Sequence, residues 1–226
     1  MRSASLTVRS VIDAVESSLR DQILDQEIPA GAAVRETEVA HVFDVARPTA
    51  KAAIERLVAS GLLTRDVHKS ARVPALNADD ISDLYLSRTV LEEGIVRRLA
   101  TGRKFPAAAR GTIDAMKALG PDALPIEYVA PDIEFHAALA RQLGSERMTR
   151  MHAGLMQEMQ FCMAQVQAHH LLATTDIIAE HERIADAIVA GEPETAAAEL
   201  RNHVERARVA LVEFFNAASQ LPAPGA

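Results

Sequence analysis

The stretch ETEVAHVFDVARPTAKAAIERLVASGLL, residues 36–63, decides how this chain is read. Its spacing predicts a short helix, a tight turn and a second helix ended by a glycine. In the first helix Val39, Ala40 and Phe43 share one face. Asp44-Val45 makes the turn, with Val45 as the apolar plug between the helices. The second helix opens near Arg47-Pro48, where the missing N–H of proline costs nothing, and it buries Ala53, Ile54 and Leu57. Arg47, Thr49, Lys51 and Arg56 fall at its exposed start and outer side. Such a helix pair presents its second member to the DNA major groove, N-terminal residues first, and needs cations and short polar groups there.

The flanks extend this reading. After Gly61, residues 62–65 and 71–74 read as two short strands with residues 66–70 as the tip between them, the layout of a winged helix. Upstream, a helix from Thr7 to Gln26 carries Val11, Val15, Leu19 and Ile23 on one stripe, and Ile28-Pro29-Ala30-Gly31 forms a loop. A small helical domain with a solvated basic face would share the charges but not the turn, the stop glycine and the wing. The candidate DNA contacts are Arg35 before the first helix, Arg47, Thr49 and Lys51 at the recognition helix, and His68 and Lys69 at the wing tip.

The chain has 226 residues, 49% of them hydrophobic, enough for one large or two modest domains. A net charge of −7 argues against a protein that coats nucleic acid indiscriminately. The charge is uneven: residues 1–74 hold ten basic and ten acidic side chains, and the remainder fourteen and twenty-one. Between Arg47 and Arg72 six basic residues face two acidic ones, so the cations gather where the groove-reading element falls. Cys162 is the one cysteine, which excludes an intrachain disulfide framework and a thiolate metal cluster; it reads as a packed core residue. There is no apolar signal core and no stretch of membrane-span length, so the expectation is a cytoplasmic protein without a membrane partner.

The expected architecture is all-α with a small β wing. A winged helix-turn-helix domain spans residues 1–75, an antiparallel α-helical bundle residues 76–218, and a flexible tail residues 219–226. Asn77 is the expected N-cap of a long helix to about Thr101. Further helices are expected at about 106–119, 126–143, 146–170, 175–190 and 193–218. Gly120, Gly144 and Gly191 stop helices, Ser145 caps one and Pro193 opens the last. Met148, Met151, Met156, Met159 and Met163 read as core packing.

Four polar residues fall on inward faces of that bundle. Asp132 and His136, four apart, share a helix face with Phe135, Leu139 and Leu143. His181 lies among Ile177, Ile184 and Ile188, and His203 among Leu200, Ala207 and Ala210. An unpaired buried carboxylate is costly, and a metal is one of few remedies. Three imidazoles and a carboxylate suit Zn²⁺ foremost, or Ni²⁺, Mn²⁺ or Fe²⁺, with open positions for an oxygen ligand. The alternative is that Asp132 and His136 pair with each other and the remaining histidines, like His152, are hydrogen-bonded core residues. Arg88 falls on the buried face marked by Leu84, Leu91, Ile95 and Leu99. Its partner is either Glu92, one turn on, or the carboxylate of a bound ligand, which a guanidinium grips in a bidentate fork.

This combination resembles the GntR family of bacterial transcription regulators, in the subgroup with an all-helical FCD ligand-binding domain. Pro29-Ala30-Gly31, Val34-Arg35-Glu36, Val39-Ala40, Val45-Ala46-Arg47 and Gly61-Leu62-Leu63 carry the resemblance in the first domain. Arg88 with Leu91-Glu92, Asp132 to His136, Glu180-His181 and His203 carry it in the second. The resemblance implies an effector-pocket arginine at Arg88 and metal ligands at Asp132, His136, His181 and His203. It departs from the family's usual glycine at Asp44, serine at Ala46, threonine-proline order at Pro48-Thr49, arginine at Lys51 and wing-tip glycine at His68-Lys69-Ser70. These departures bear on which operator is read rather than on whether DNA is bound.

The expected function is a DNA-binding regulator, a repressor, that binds a palindromic operator as a homodimer and responds to a small organic acid at the metal. One alternative is a metal-dependent hydrolase or lyase, against which no dedicated base is evident. His181-Glu182-Arg183-Ile184-Ala185 lacks the second histidine of HExxH, and there is no GxSxG or glycine-rich phosphate loop. The other alternative is a constitutive DNA-binding dimer without an effector.

Overall fold

The computed structural model describes residues 10–67, 69–120, 123–165 and 174–219. The chain divides into two compact units, Met1–Ala75 and Leu76–Ala226. In the first unit α1 spans Val11–Leu24. The Ser10 hydroxyl accepts from Asp13 N at 3.2 Å while the Asp13 carboxylate accepts from Ser10 N at 2.9 Å. This reciprocal cap fixes the helix start at Val11; Thr7, the expected start, lies outside the described residues. Val15, Leu19 and Ile23 are buried as the stripe predicts, whereas Val11 in the first turn is 60% exposed.

Two short helices follow, α2 at Glu36–Val42 and α3 at Arg47–Ala59. Asp44 takes φ 49° in the turn between them. A short polar side chain tolerates that left-handed backbone where a branched one would not. Val45 N then donates to Ala40 O at 3.0 Å, closing the corner. Ala50, Ala53, Ile54 and Leu57 form the buried face of α3. Burying an isoleucine or leucine stabilises by roughly 1.5–3 kcal/mol. Arg56, on the outer side, braces α3 to α1 through Asp13 at 2.6 Å and Glu16 at 3.3 Å.

The wing differs from its sequence reading. Residues 62–65 do not form a strand: Thr64 alone bridges to Arg72, while Leu62 and Leu63 turn into the core. The partner that sequence missed is β1, Ala33–Val34, which pairs antiparallel with β2, Ala71–Arg72, in the register Ala33↔Arg72 and Val34↔Ala71. The segment at 71–73 is thus bonded on both sides. Arg72 exchanges both backbone bonds with Thr64, while Val73 and Gly31 continue the pairing toward β1.

The second unit contains six helices among the described residues: α4 at Ala78–Thr101, α5 at Ala107–Leu119, α6 at Pro125–Gln142, α7 at Glu146–Gln165, α8 at Thr174–Ala190 and α9 at Pro193–Ser219. Helix α4 is the axis, packed along α9 and touching α6, α7 and α8. Its core residues Ile81, Tyr85, Ile95 and Val96 meet Ile113, Phe135, Ile184, Leu200 and Val204 in one apolar cluster. Met156 and Met159 are buried in it, and Met148 and Met163 partly so. Met151 is instead 60% exposed. Cys162 is fully buried, and that burial pushes its thiol up to about 12, so it is packing material rather than a reactive group. Residues 166–173, the expected end of α7, and 220–226, within the expected tail, lie outside the described residues. No helix among the described residues is long and apolar enough to cross a membrane.

Asn77 starts α4 by accepting from Asp79 N at 2.8 Å and Asp80 N at 3.1 Å, while Asp80 accepts from Asn77 N at 3.0 Å. Asn77→Ala removes the side-chain acceptor from the axial helix. It should lower stability by about 1 kcal/mol, read as a shifted urea midpoint with an unchanged slope.

Candidate functional site

Two sets of residues carry chemistry, one in each unit. In the first unit the start of α3, the segment before α2 and the wing enclose a cleft of about 300 Å³ lined by Arg35, Arg47, Arg65 and Lys69. Sequence reasoning brought Arg35, Arg47 and Lys69 to this face; it passed over Arg65, which pairs with Glu36 at 3.6 Å. Thr49 is half-buried and Lys51 exposed on α3, outside the cleft lining. His68 lies outside the described residues. The cations are loosely held by neighbouring acids: Arg35 by Glu38, Lys51 by Glu55 at 3.6 Å, and Lys69 by Asp66 at 2.9 Å. Exposed pairs of this kind are weak, so a phosphate can displace the acid. Arg47 is exposed and has no carboxylate partner among the described residues. Ala46, the N-cap of α3, makes no side-chain bond to the helix, so the first amides of the recognition helix have no protein side chain over them.

In the second unit α6 contributes Asp132 and His136, α8 His181 and α9 His203, and one donor atom from each lies within 4.8 Å of the others. His136 Nε2 and His203 Nε2 are 3.2 Å apart. Asp132 Oδ1 is 3.2 Å from His181 Nε2 and 3.9 Å from each of the other two Nε2 atoms. Metal–ligand bonds of about 2.0–2.2 Å place neighbouring donors roughly 2.8–3.6 Å apart; the two 3.2 Å separations fall in that range and the two of 3.9 Å a little beyond it.

The surrounding carboxylates decide which imidazole atoms carry protons. His203 Nδ1 is 2.8 Å from Glu180 Oε2, and Glu180 is itself clamped by Arg206. His136 Nδ1 is 2.7 Å from Glu92 Oε2, a contact short in distance though bent in angle. A carboxylate only accepts, so His203 Nδ1 carries the proton and its Nε2 presents a lone pair; the nearby Glu92 favours the same tautomer for His136. In that tautomer two lone pairs face each other across 3.2 Å, an arrangement that a cation lying against both relieves, and this approach is what fits the set to a metal. His181 is held by stacking on Phe135, with ring centroids 3.9 Å apart, and its Nδ1 has no partner among the described residues.

Ionisation follows the same design. Burial pushes the His136 imidazolium down to about 3, against the pull of Glu92, and burial likewise lowers His181. Burial alone would raise the Asp132 carboxyl, but the bond to His181 and the pull that the neighbouring imidazoles exert when protonated hold it well below the ordinary range. Burial also raises Glu180, and His203 and Arg206 override it to leave the group at about 2. Neutral imidazoles beside an ionised carboxylate are the forms that bind a metal.

Arg88 is fully buried one turn before Glu92, and the pair is closed by Nε to Oε1 at 2.8 Å. The bland partner named from sequence is therefore real. It does not exhaust the guanidinium: Nη1 meets only the Met159 sulfur at 2.8 Å, and Nη2 has no partner. Glu92 is the residue sequence undervalued. It takes Arg88 and His152 on Oε1 and His136 on Oε2. Three buried polar side chains, one on the preceding turn of α4 and two on other helices, share one carboxylate, which single-helix spacing does not show.

The comparisons with known proteins agree with this division. Residues 11–73 match the model "Bacterial regulatory proteins, gntR family" and residues 83–206 match the FCD domain. The chain is 29% identical over 204 residues to a probable D-xylose utilization operon transcriptional repressor of Paenarthrobacter nicotinovorans, covering 89% of each. It is 24% identical over 227 residues to the HTH-type transcriptional repressor NanR of Enterobacter sp. (strain 638), covering 90% of this chain and 86% of that one. Its fold is similar to the crystal structure of a putative GntR regulator from Rhodococcus sp. RHA1, with a TM-score of 0.73, 24% identity, and 90% and 98% of the two chains covered.

Removing Glu92 leaves the Arg88 guanidinium buried without a counter-charge, a loss of about 3–5 kcal/mol. Glu92→Ala should show this in urea unfolding of the full chain. Adding Arg88→Met should recover most of it, because the uncompensated guanidinium is then gone.

Proposed function

The chain belongs to the GntR family of bacterial regulatory proteins and carries that family's FCD domain, and from that premise we propose that it is a metabolite-responsive repressor. It binds a palindromic operator as a homodimer, and a small organic acid held at a divalent transition metal in the second unit changes that binding. The family and its relatives are transcriptional regulators, not enzymes, which sets aside the hydrolase or lyase alternative. The repressor sign rests on the relatives that are named repressors.

The observation that carries the ligand half of the proposal is the convergence of Asp132 Oδ1 with the Nε2 atoms of His136 and His203 around one point. A constitutive DNA binder has no use for such a buried donor set. Zn²⁺ is the first choice for three imidazoles and a carboxylate, with Ni²⁺, Mn²⁺ or Fe²⁺ also compatible. The metal would be held by Asp132, His136, His181 and His203 and would supply an electrophilic position for an anionic oxygen. Arg88 Nη2, buried and without an acceptor, is the donor on this chain that suits the other end of such an acid. Because Glu92 already balances one positive charge, an acid with a second oxygen gains more there than a simple monocarboxylate.

DNA contact falls to the first unit. Arg47 and Lys51 at the recognition helix read the groove, and Arg35, Thr49, Lys69 and the wing-tip His68 contribute around them. A base-reading arginine carries ~1–3 kcal/mol of discrimination. Arg47→Ala should therefore abolish the preference for the operator over random duplex in a gel-shift titration while folding is retained. Operator affinity equal to that of wild type would refute the assignment.

Metal and effector are separated by one calorimetric series of hydroxy-, keto- and dicarboxylic acids with elemental analysis. His181→Ala and His203→Ala should lose bound metal and acid together, and the wild type should melt lower after chelation, since a ligand of the folded state stabilises it. Arg88→Ala should keep the metal but bind the best acid at least tenfold more weakly, about 1.4 kcal/mol. Full metal content in both histidine variants would make these residues structural.

A further inference from the structure

One methionine of α7 meets a charge. Met156, Met159 and Met163, three and four residues apart, share a helix face, and the first two are buried. Met159 brings its sulfur to 2.8 Å from Arg88 Nη1. Bonds from N–H to oxygen run ~2.7–3.2 Å, so the thioether occupies the place an acceptor oxygen would take. A thioether is a weak acceptor, and Arg88 is fully buried, where a guanidinium calls for strong ones.

The surroundings of Arg88 leave a carboxylate one way to fork onto it. Nε donates to Glu92 Oε1 at 2.8 Å, which closes the edge made by Nε and its neighbouring nitrogen. The guanidinium lies over the Tyr85 ring, 5.7 Å from its centroid, so that face is covered. The remaining pair is Nη1 with Nη2, and Nη2 is buried without a partner. A carboxylate grips a guanidinium best through two parallel bonds, and one of the two needs the place that the Met159 sulfur holds. The metal donors are near: Glu92 also lies 2.7 Å from His136 Nδ1, and the Asp132 charge acts on Arg88.

Methionine suits a contact that has to be given up. Its side chain is unbranched and turns about several bonds, and Met156 and Met163 on the same face can repack around a moved neighbour. A leucine at this position would neither accept from Arg88 nor give way as readily. Exchanging the thioether for a carboxylate replaces a weak neutral acceptor with a charged one, which strengthens the bond to a guanidinium. A hydroxyl or amide oxygen gains far less from the same exchange. The sulfur therefore filters ligands by the charge of the end that reaches Arg88.

We infer that Met159 is a removable cap on Arg88. Its thioether holds Nη1 until the far carboxylate of a bound dicarboxylate takes that place, and it thereby selects acids with a second ionised end. This rests on the effector reading proposed above and names the residue that sets its selectivity.

The test uses the full chain, loaded with zinc and isotope-labelled at the methionine methyls. It is titrated with malonate, succinate and glutarate, dicarboxylates of increasing span, and binding is followed by calorimetry. The Met159 methyl resonance is identified by its loss in Met159→Leu, a swap that nearly keeps the core volume. It should move as the tightest of the three acids saturates, while that of the exposed Met151 stays. Met159→Ala should bind the same acid about fivefold more tightly, the worth of one neutral hydrogen bond that no longer has to be broken. The methyl shift is read on the wild type, so it decides even where Met159→Ala does not fold. Acid binding with an unmoved Met159 methyl would overturn the cap while leaving the effector site standing. Unchanged or weaker binding by a folded Met159→Ala would do the same, making the methionine a fixed wall of the pocket. If none of the three acids binds the wild type at millimolar concentration, the effector reading and the cap fall together.

Discussion

A single carboxylate in the middle of the longest-packed helix governs the second unit. Glu92 is buried on α4, where an uncompensated charge would be prohibitive, and the surroundings are arranged to compensate it. Arg88 supplies the charge, His136 and His152 supply N–H groups, and three helices are thereby fixed at one level. The orientation of His136 follows from this contact, and so does the direction of its Nε2 lone pair. Glu180 with Arg206 repeats the device for His203 from α8 and α9. Two of the three imidazoles in the donor cluster are thus oriented by buried acids that do not belong to it.

The two units differ in how much of each was readable. Helices α4 to α9 follow from apolar periodicity and from stops at Gly120, Gly144 and Gly191, because a helix advertises both its face and its ends locally. Asp132, His136, His181 and His203 could be picked out by the same logic, as polar residues on inward faces. The histidine contacts of Glu92 and Glu180 could not, since those histidines stand on other helices, and Glu92 read from spacing is only the ordinary ion-pair partner of Arg88. The pairing of Ala33–Val34 with Ala71–Arg72 was hidden for a related reason: two residues carry no period, and the partner lies some forty residues away. Residues 62–65 looked like a strand because Leu62 and Leu63 are apolar, but both are turned into the core, leaving Thr64 to pair alone.

The turn before the recognition helix shows how a departure from a common pattern is absorbed. Asp44 keeps the left-handed backbone that the corner requires, so the helix pair closes without glycine. Ala46 is a different matter, because an alanine leaves the amides at the start of α3 without a side-chain acceptor. The first substitution preserves geometry, and the second changes what those amides are free to meet.

The acids that hold Arg35, Lys51, Arg65 and Lys69 have a kinetic meaning. Each cation that grips a phosphate must first release a carboxylate only a few ångströms away, and that carboxylate stays nearby to compete and to repel the backbone. Arg47, at the start of the recognition helix, has no such rival. On the DNA contacts proposed above, loose encounters with arbitrary duplex are kept brief, while a site that engages Arg47 in the groove gains a contact without having to displace anything. Under that proposal the arrangement favours rapid turnover on arbitrary duplex and long residence only where the recognition helix fits.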